Sequence, residues 1–320
     1  MIGKASLTAL AVLLLCFAQS GALPAQNTDP RPNNTLKVNV DVVLVNATVT
    51  DGQNRFVVGL DRQDFQVWED KIEQKISYFS SEDVPMSVGI IFDISGSMKD
   101  KMTHARNAAM SFLSMGSPED EYFLIQFSDR PEMIADFTTD ITRVQRNLVF
   151  AQAKGMTALY DAVYLGLSKL KQGNNPKKAL VLITDGEDNR SRYTFSNVRD
   201  YVKEQDAMLF AIGIADTATS QLGAGRSGRA ILQELTELTG GYAFFPESIR
   251  DLERDCEKIA AELKNQYLIG YTPTNGVKDG KWRRLRVKVT PPKELPLKSL
   301  AVRARTGYYA PTDAATMTNK

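Results

Sequence analysis

The chain is short of the side chains that carry most covalent and soft-metal chemistry. It has one histidine, two cysteines and two tryptophans in 320 residues. With His104 the sole imidazole and Cys16 and Cys256 the only thiols, a zinc site has almost nothing to draw on. A serine hydrolase would need a base beside its nucleophile, and no GxSxG elbow is present. Neither a Walker loop nor a GxGxxG occurs in "FDISGSMKD", which ends the apolar run "SVGII". Charge of one sign is lacking too: 39 basic residues face 38 acidic ones, for a net charge of +1. That balance gives no sign of a nucleic-acid partner, and an apolar content of 43% fits a globular rather than a many-spanning membrane protein.

The first 25 residues differ from the rest. Lys4 precedes an apolar core from Leu7 to Phe17 and then a run of small residues. That order reads as a secretory leader, with a core too short to cross a bilayer. Cleavage is expected near residues 20–25, leaving a secreted, periplasmic or cell-envelope protein. Membrane contact is expected only if the leader is retained or lipidated at Cys16, where Leu15 stands in place of the small residue a lipid signal prefers. Cleavage removes Cys16, so no internal disulfide is open to the mature chain and its core must hold the fold. Cys256 lies in the helical pattern "IRDLERDCEKIAAEL" and reads as a packed residue.

A Pro/Asn-rich linker over 26–35 leads into β-like segments over 36–84: "LKVNVDVVLVNATVTDG", "FVVGL", "FQVWED" and "KISYFS". From residue 85 to 264 the pattern changes. "MSVGIIFD", "YFLIQFS", "ALVLITD" and "AMLFAIGIA" are continuous apolar runs, expected of strands covered on both faces. Helical stripes alternate with them, one through Met102, Ala105, Ala109, Phe112 and Leu113, another through Leu159, Ala162, Val163, Gly166, Leu167 and Leu170. "PEMIADFTTD" reads as an edge strand. The fold class is therefore α/β with an open sheet. Over 265–311, β alternation returns in "QYLIGYTP", "RRLRVKV" and "LAVRARTGYY", before a tail at 312–320. Neither terminal β segment can bury its apolar face alone, so the two are expected to pair in a small antiparallel module.

In an open α/β sheet, ligands bind at the carboxyl ends of the strands. Asp93 closes one apolar run and Asp185 another, and "KGMTALYDAV" places Thr157 at the start of the strongest helix. Asp93, Ser95, Ser97, Thr157 and Asp185 thus come to one rim from three distant segments, and every one ends in oxygen. Hard divalent ions take oxygen ligands, Mg²⁺ at about 2.0–2.1 Å in near-octahedral geometry. Two carboxylates and three hydroxyls leave such a cation electropositive, ready for a carboxylate from a partner. Alone, "DISGS" also serves as a helix cap. Convergence of independent strand ends on one ligand chemistry favours metal binding.

"DISGS", Thr157 and "TDG" at Asp185 together resemble the metal-ion-dependent adhesion site of von Willebrand factor type A domains. The resemblance covers roughly residues 85–264. With its flanking β segments and the ending "RTGYYAP", the chain also resembles bacterial exported proteins related to that domain. The resemblance implies a Rossmann-like domain with a mostly parallel central sheet flanked by helices. It implies Ser95 and Ser97 as direct ligands of Mg²⁺, with Mn²⁺ or Ca²⁺ as alternatives, and Thr157, Asp93 and Asp185 as ligands directly or through water. The implied partner is a protein presenting an Asp or Glu carboxylate.

Glu187 and Asp188 follow Asp185, and Arg226 and Arg229 sit in "DTATSQLGAGRSGR" after the last apolar run. All four are candidates for a partner-binding rim; a solvated edge and a flexible loop are the plainer alternatives. No catalytic residue is expected and the chain reads as a non-enzyme. A stabilising metal site in a structural envelope subunit is the alternative; a metal-dependent hydrolase, with Glu187 its one remote base, is a weaker one.

Overall fold

Alternation along residues 43–51 turns Val43, Val45, Ala47 and Val49 into a core, while Leu44 faces out. This is β1 (Val43–Asp51), the first strand of a computed structural model that describes residues 42–214, 228–290 and 299–312. The leader, the linker, residues 36–41, Arg226 and the tail beyond residue 312 lie outside the described residues. After β1 come β2 (Phe65–Glu69), β3 (Ile72–Gln74) and β4 (Ile76–Ser80). "FVVGL" contributes only an isolated bridge from Phe56 to Thr50. Its Val57 and Leu60 are core plugs instead, held by Tyr267, whose hydroxyl donates to Val57 O at 2.8 Å and accepts from Leu60 N at 3.1 Å.

The α/β part runs β5 (Met86–Asp93), α1 (Met102–Ser114), β6 (Glu121–Phe127), β7 (Pro131–Thr138), α2 (Ile141–Val149), α3 (Leu159–Leu170), β8 (Lys177–Thr184), α4 (Phe195–Lys203), β9 (Met208–Gly213), α5 (Gly228–Thr239), β10 (Ala243–Phe244) and α6 (Ile249–Lys264). The sheet order is β10-β9-β8-β5-β6-β7, parallel except for the antiparallel edge strand β7. The continuous apolar runs are explained by cover on both faces. Val88, Ile90 and Phe92 of β5 share a core with α1, α2 and α6, and Ile91 shares another with α3, α4 and α5. Every residue of the two helical stripes is buried. Cys256, on α6, is fully buried, and its thiol is pushed up by desolvation.

One residue after α6, the chain returns to strands: β11 (Gln266–Tyr271), β12 (Trp282–Val289), β13 (Leu300–Ala304) and β14 (Gly307–Tyr309). They interleave with the N-terminal strands in two four-stranded sheets, β13-β1-β11-β4 and β14-β12-β2-β3. β1 pairs with β11 and β13, and β2 with β12, all antiparallel. Both sheets pack on one core that includes Val45, Val49, Val67, Ile269 and Leu285. The fold class read from the sequence holds, including the antiparallel module made from both terminal segments. Strand-end arginines act as fasteners. Arg283 points inward and pairs with Asp279 at 2.8 Å, Arg303 reaches Glu262 of α6 at 2.7 Å, and Arg305 pairs with Asp206.

Candidate metal site

β5 and β8 are parallel neighbours with Phe92 opposite Ile183, so Asp93 and Thr184 end their strands side by side. Thr184 Oγ1 donates to Asp93 Oδ2 at 2.6 Å and accepts from Gly186 N at 3.1 Å. The other carboxylate oxygen of Asp93 accepts from Ser95 N at 2.8 Å. Beyond it, Ser95 Oγ and Ser97 Oγ lie 3.1 Å apart at the head of the turn Gly96–Lys101. Ser95 is buried and Ser97 exposed, so the pair opens toward solvent at one end.

The segment before α3 is sewn to this turn. Gly96 N donates to Gly155 O at 3.0 Å, and Lys154 N to Ile94 O at 2.8 Å. Gly155 has φ +79°, and a Cβ there would stand 2.5 Å from an Asp129 carboxylate oxygen. Only glycine lets the chain turn that tightly beside Asp129. Two residues on, Thr157 is buried, its amide donating to Asn189 Oδ1 at 2.9 Å. Gly186, at φ +84°, makes the sharp turn after Asp185 and lies against Gly228 at the start of α5. The structure thus brings Asp93, Ser95, Ser97, Thr157 and Asp185 to one end of the sheet.

Burial governs the electrostatics of Asp93. Desolvation raises Asp93 to about 6, against which its hydrogen bonds from Thr184 and Ser95 pull down and the charge of Asp185 pushes further up. Among the described residues, no group of three or more His, Cys, Asp or Glu side chains is placed to hold a metal. Here two carboxylates would be joined by hydroxyls. Two oxygens bound cis in an octahedron at about 2.1 Å stand roughly 3.0 Å apart, and the serine hydroxyls are 3.1 Å apart. The donor set fits a small hard cation.

The rim candidates are placed differently from one another. Glu187 is exposed. Asp188 is turned back to α3, where Oδ2 accepts from Tyr160 N at 3.1 Å and from the Ser191 hydroxyl. Asp161 Oδ1 accepts from the amides of Arg192 and Tyr193, so both acids tie the loop after β8 to the helix N-terminus, where negative charge is favourable. Arg229 begins α5 with its guanidinium 4.2 Å from the centre of the Phe245 ring. Thr184, Asn189 and Asp129 went unread in the sequence. Thr184 had a signal, as a hydroxyl closing an otherwise apolar strand; the other two are ordinary loop residues until the loops meet.

Residues 88–187 match the family model described as von Willebrand factor type A domain. Inter alpha-trypsin inhibitor heavy chain 4 of Mus musculus is 29% identical over 158 residues, which is 43% of this chain and 17% of that protein. The chain therefore spans a small part of the length of this relative. Among solved structures, an aerotolerance-related membrane protein from Bacteroides fragilis is 19% identical, with 56% of this chain and 98% of that one covered and a TM-score of 0.45. A von Willebrand factor type A protein from Catenulispora acidiphila is 12% identical, with 88% and 76% covered and a TM-score of 0.48.

Proposed function

For a chain with a von Willebrand factor type A domain at residues 88–187, we propose an exported binding module that grips an acidic residue of a protein partner at a Mg²⁺ site. The observation that carries this reading is the paired serine hydroxyls, 3.1 Å apart, beside a buried carboxylate whose two oxygens are held by Thr184 Oγ1 and Ser95 N. Ser95 and Ser97 would hold the ion, with Thr157, Asp93 and Asp185 completing the set directly or through water. Bound there, Mg²⁺ would supply a Lewis-acidic position for one further carboxylate oxygen.

The chain's own residues provide the orientation. Thr184 and Ser95 N fix both oxygens of Asp93, and Asn189 fixes the backbone of Thr157. Two carboxylates do not over-neutralise a divalent charge, so attraction for a partner's Asp or Glu survives. A hydrolytic reading finds less support, since among the described residues no hydrogen bond joins His104 to the cluster. Among the described residues, no helix is long and apolar enough to cross a membrane.

Calorimetric titration of the purified protein with Mg²⁺ and Mn²⁺ tests the site. Saturable uptake at or below millimolar concentration, lost in Ser95→Ala, is expected. No uptake by the folded wild type overturns the reading. Capture of a partner from cell-envelope extract that survives EDTA would make the metal a stabiliser rather than a contact.

A further inference from the structure

A groove of about 580 Å³ runs along α3 beside the candidate metal site, and the metal chemistry leaves it unused. Arg130 and Pro131 at the start of β7, Tyr164 and Leu165 of α3, and Arg192 and Tyr193 of the loop after β8 wall it. Shared segments link the groove to the candidate metal site, none of whose five residues lines it. The loop that carries Arg192 and Tyr193 also carries Asp185 and the Asn189 that holds Thr157.

The groove is built before any partner arrives. Tyr193 stacks on Tyr164 with ring centres 4.2 Å apart, and Tyr201 stacks on Tyr164 at 4.1 Å, both nearly parallel. Lys171 sits 4.9 Å from the centre of the Tyr201 ring. Locked aromatic faces lose little freedom on binding, and Tyr and Arg are the residues enriched where interfaces gain most. Tyr193 remains 40% exposed despite its stacking.

Arg130, Arg192 and the carboxylate Asp161 all line the groove, and Arg192 is the most exposed of the three. Arg192 is 89% exposed and comes no closer than 3.9 Å to Asp161, a carboxylate only 12% exposed and engaged by two backbone amides. Its guanidinium is therefore open to an outside carboxylate. Arg130, 76% exposed, pairs with Glu132 at 3.0 Å and contributes less.

We propose that this groove is a second anchor for the same acidic partner, on the reading that the metal site takes its carboxylate. Seven residues separate Thr157 from Tyr164, mostly along α3, so the metal rim and the ring stack lie roughly 10 Å apart at about 1.5 Å per residue. An extended peptide spans that in about three residues. The recognised segment is an acidic residue with a bulky apolar or aromatic residue about three positions away, which packs on the exposed Tyr193 and on Leu165, and a further carboxylate beside it for Arg192.

A phage-displayed library of random linear peptides, selected on the Mg²⁺-loaded full chain and eluted with EDTA, tests this. Mg²⁺ uptake is measured by calorimetry in parallel for wild type, Tyr193→Ala and Arg192→Ala, and folding by circular dichroism. The expected outcome is enrichment of an acid with an apolar residue at a fixed offset. Both variants should keep Mg²⁺ uptake, and a selected peptide should bind each about tenfold more weakly or worse. Intact uptake with enrichment of acids but no apolar preference, or with unchanged binding to both variants, overturns the groove alone. Intact uptake with no EDTA-released sequence also overturns it, and no Mg²⁺ uptake by wild type removes the metal reading together with it.

Discussion

Thr157 and Asn189 hold each other through a reciprocal pair of hydrogen bonds. Thr157 N donates to Asn189 Oδ1 at 2.9 Å, and Asn189 N donates back to Thr157 O at 3.0 Å. A hydroxyl that would serve a metal is thereby positioned by a residue on a different loop, the one that starts at Asp185. The two loops act as one unit because a backbone bond and a side-chain bond join them at the same pair of residues.

Asn189→Ala removes one of the pair and no donor oxygen. Mg²⁺ affinity is expected to fall about tenfold, the usual effect of losing an orienting partner. Calorimetric titration beside a melting curve checks it. Unchanged affinity would mean that Thr157 needs no such support.

Asp93 gives a pH prediction. Its pKa is about 6 in the fold against an ordinary 3.8. A group with a raised folded pKa favours the fold while protonated; that contribution is complete below about pH 4 and lost as pH rises through about 6. Metal-free protein therefore carries a destabilising carboxylate at neutral pH. Asp93→Asn keeps an acceptor for Ser95 N and can donate to Thr184 Oγ1. Chelator-treated Asp93→Asn should be more stable than wild type at pH 7.5, by on the order of 1–3 kcal/mol, with the gain gone at pH 4. Denaturant melts at both pH values decide it; a loss of stability at pH 7.5 is the contrary result.

Tyr267→Phe isolates one hydroxyl in the β sandwich. The ring keeps its contacts with Phe65 and Phe79, whose centres lie 4.8 and 5.8 Å away. Leu60 N and Val57 O lose their buried partner. Urea unfolding should show a loss of about 1–3 kcal/mol, with Mg²⁺ uptake unaltered.

A chain ending at residue 264 lacks β11 to β14. β1 then loses both neighbouring strands, and Val45, Ala47 and Val49 lose their cover. Such a protein is expected to aggregate or to melt without cooperativity, as followed by size-exclusion chromatography and circular dichroism. A soluble chain with wild-type Tm would show that the sandwich is dispensable.

Much of the fold was legible because burial leaves a periodic mark. The doubly apolar runs at β5, β6, β8 and β9 and the stripes on α1 and α3 are what a two-sided sheet requires, and each is buried as read. "FVVGL" misled because two apolar plugs in a loop look like a short strand. Alternation alone does not say that an arginine such as Arg283 will turn inward and find Asp279. At the candidate site the proposed ligands could be named from the sequence because Asp93 ends β5, Asp185 follows β8, and Ser95, Ser97 and Thr157 lie in the segments that lead into α1 and α3. Their supports were not. Asn189, Asp129 and Thr184 are polar residues of a common kind, and only the approach of other segments gives each a partner.

By itself the sequence determined which segments must be buried and which side-chain chemistry sits at the strand ends, because hydrophobic period and residue type are local properties of the chain. Tertiary structure alone decided which oxygens face each other, that Asp93 is buried beside Asp185, and that Tyr164 is stacked between Tyr193 and Tyr201. Those depend on distances between residues tens of positions apart, and such distances exist only after the sheet has formed and drawn its loops together.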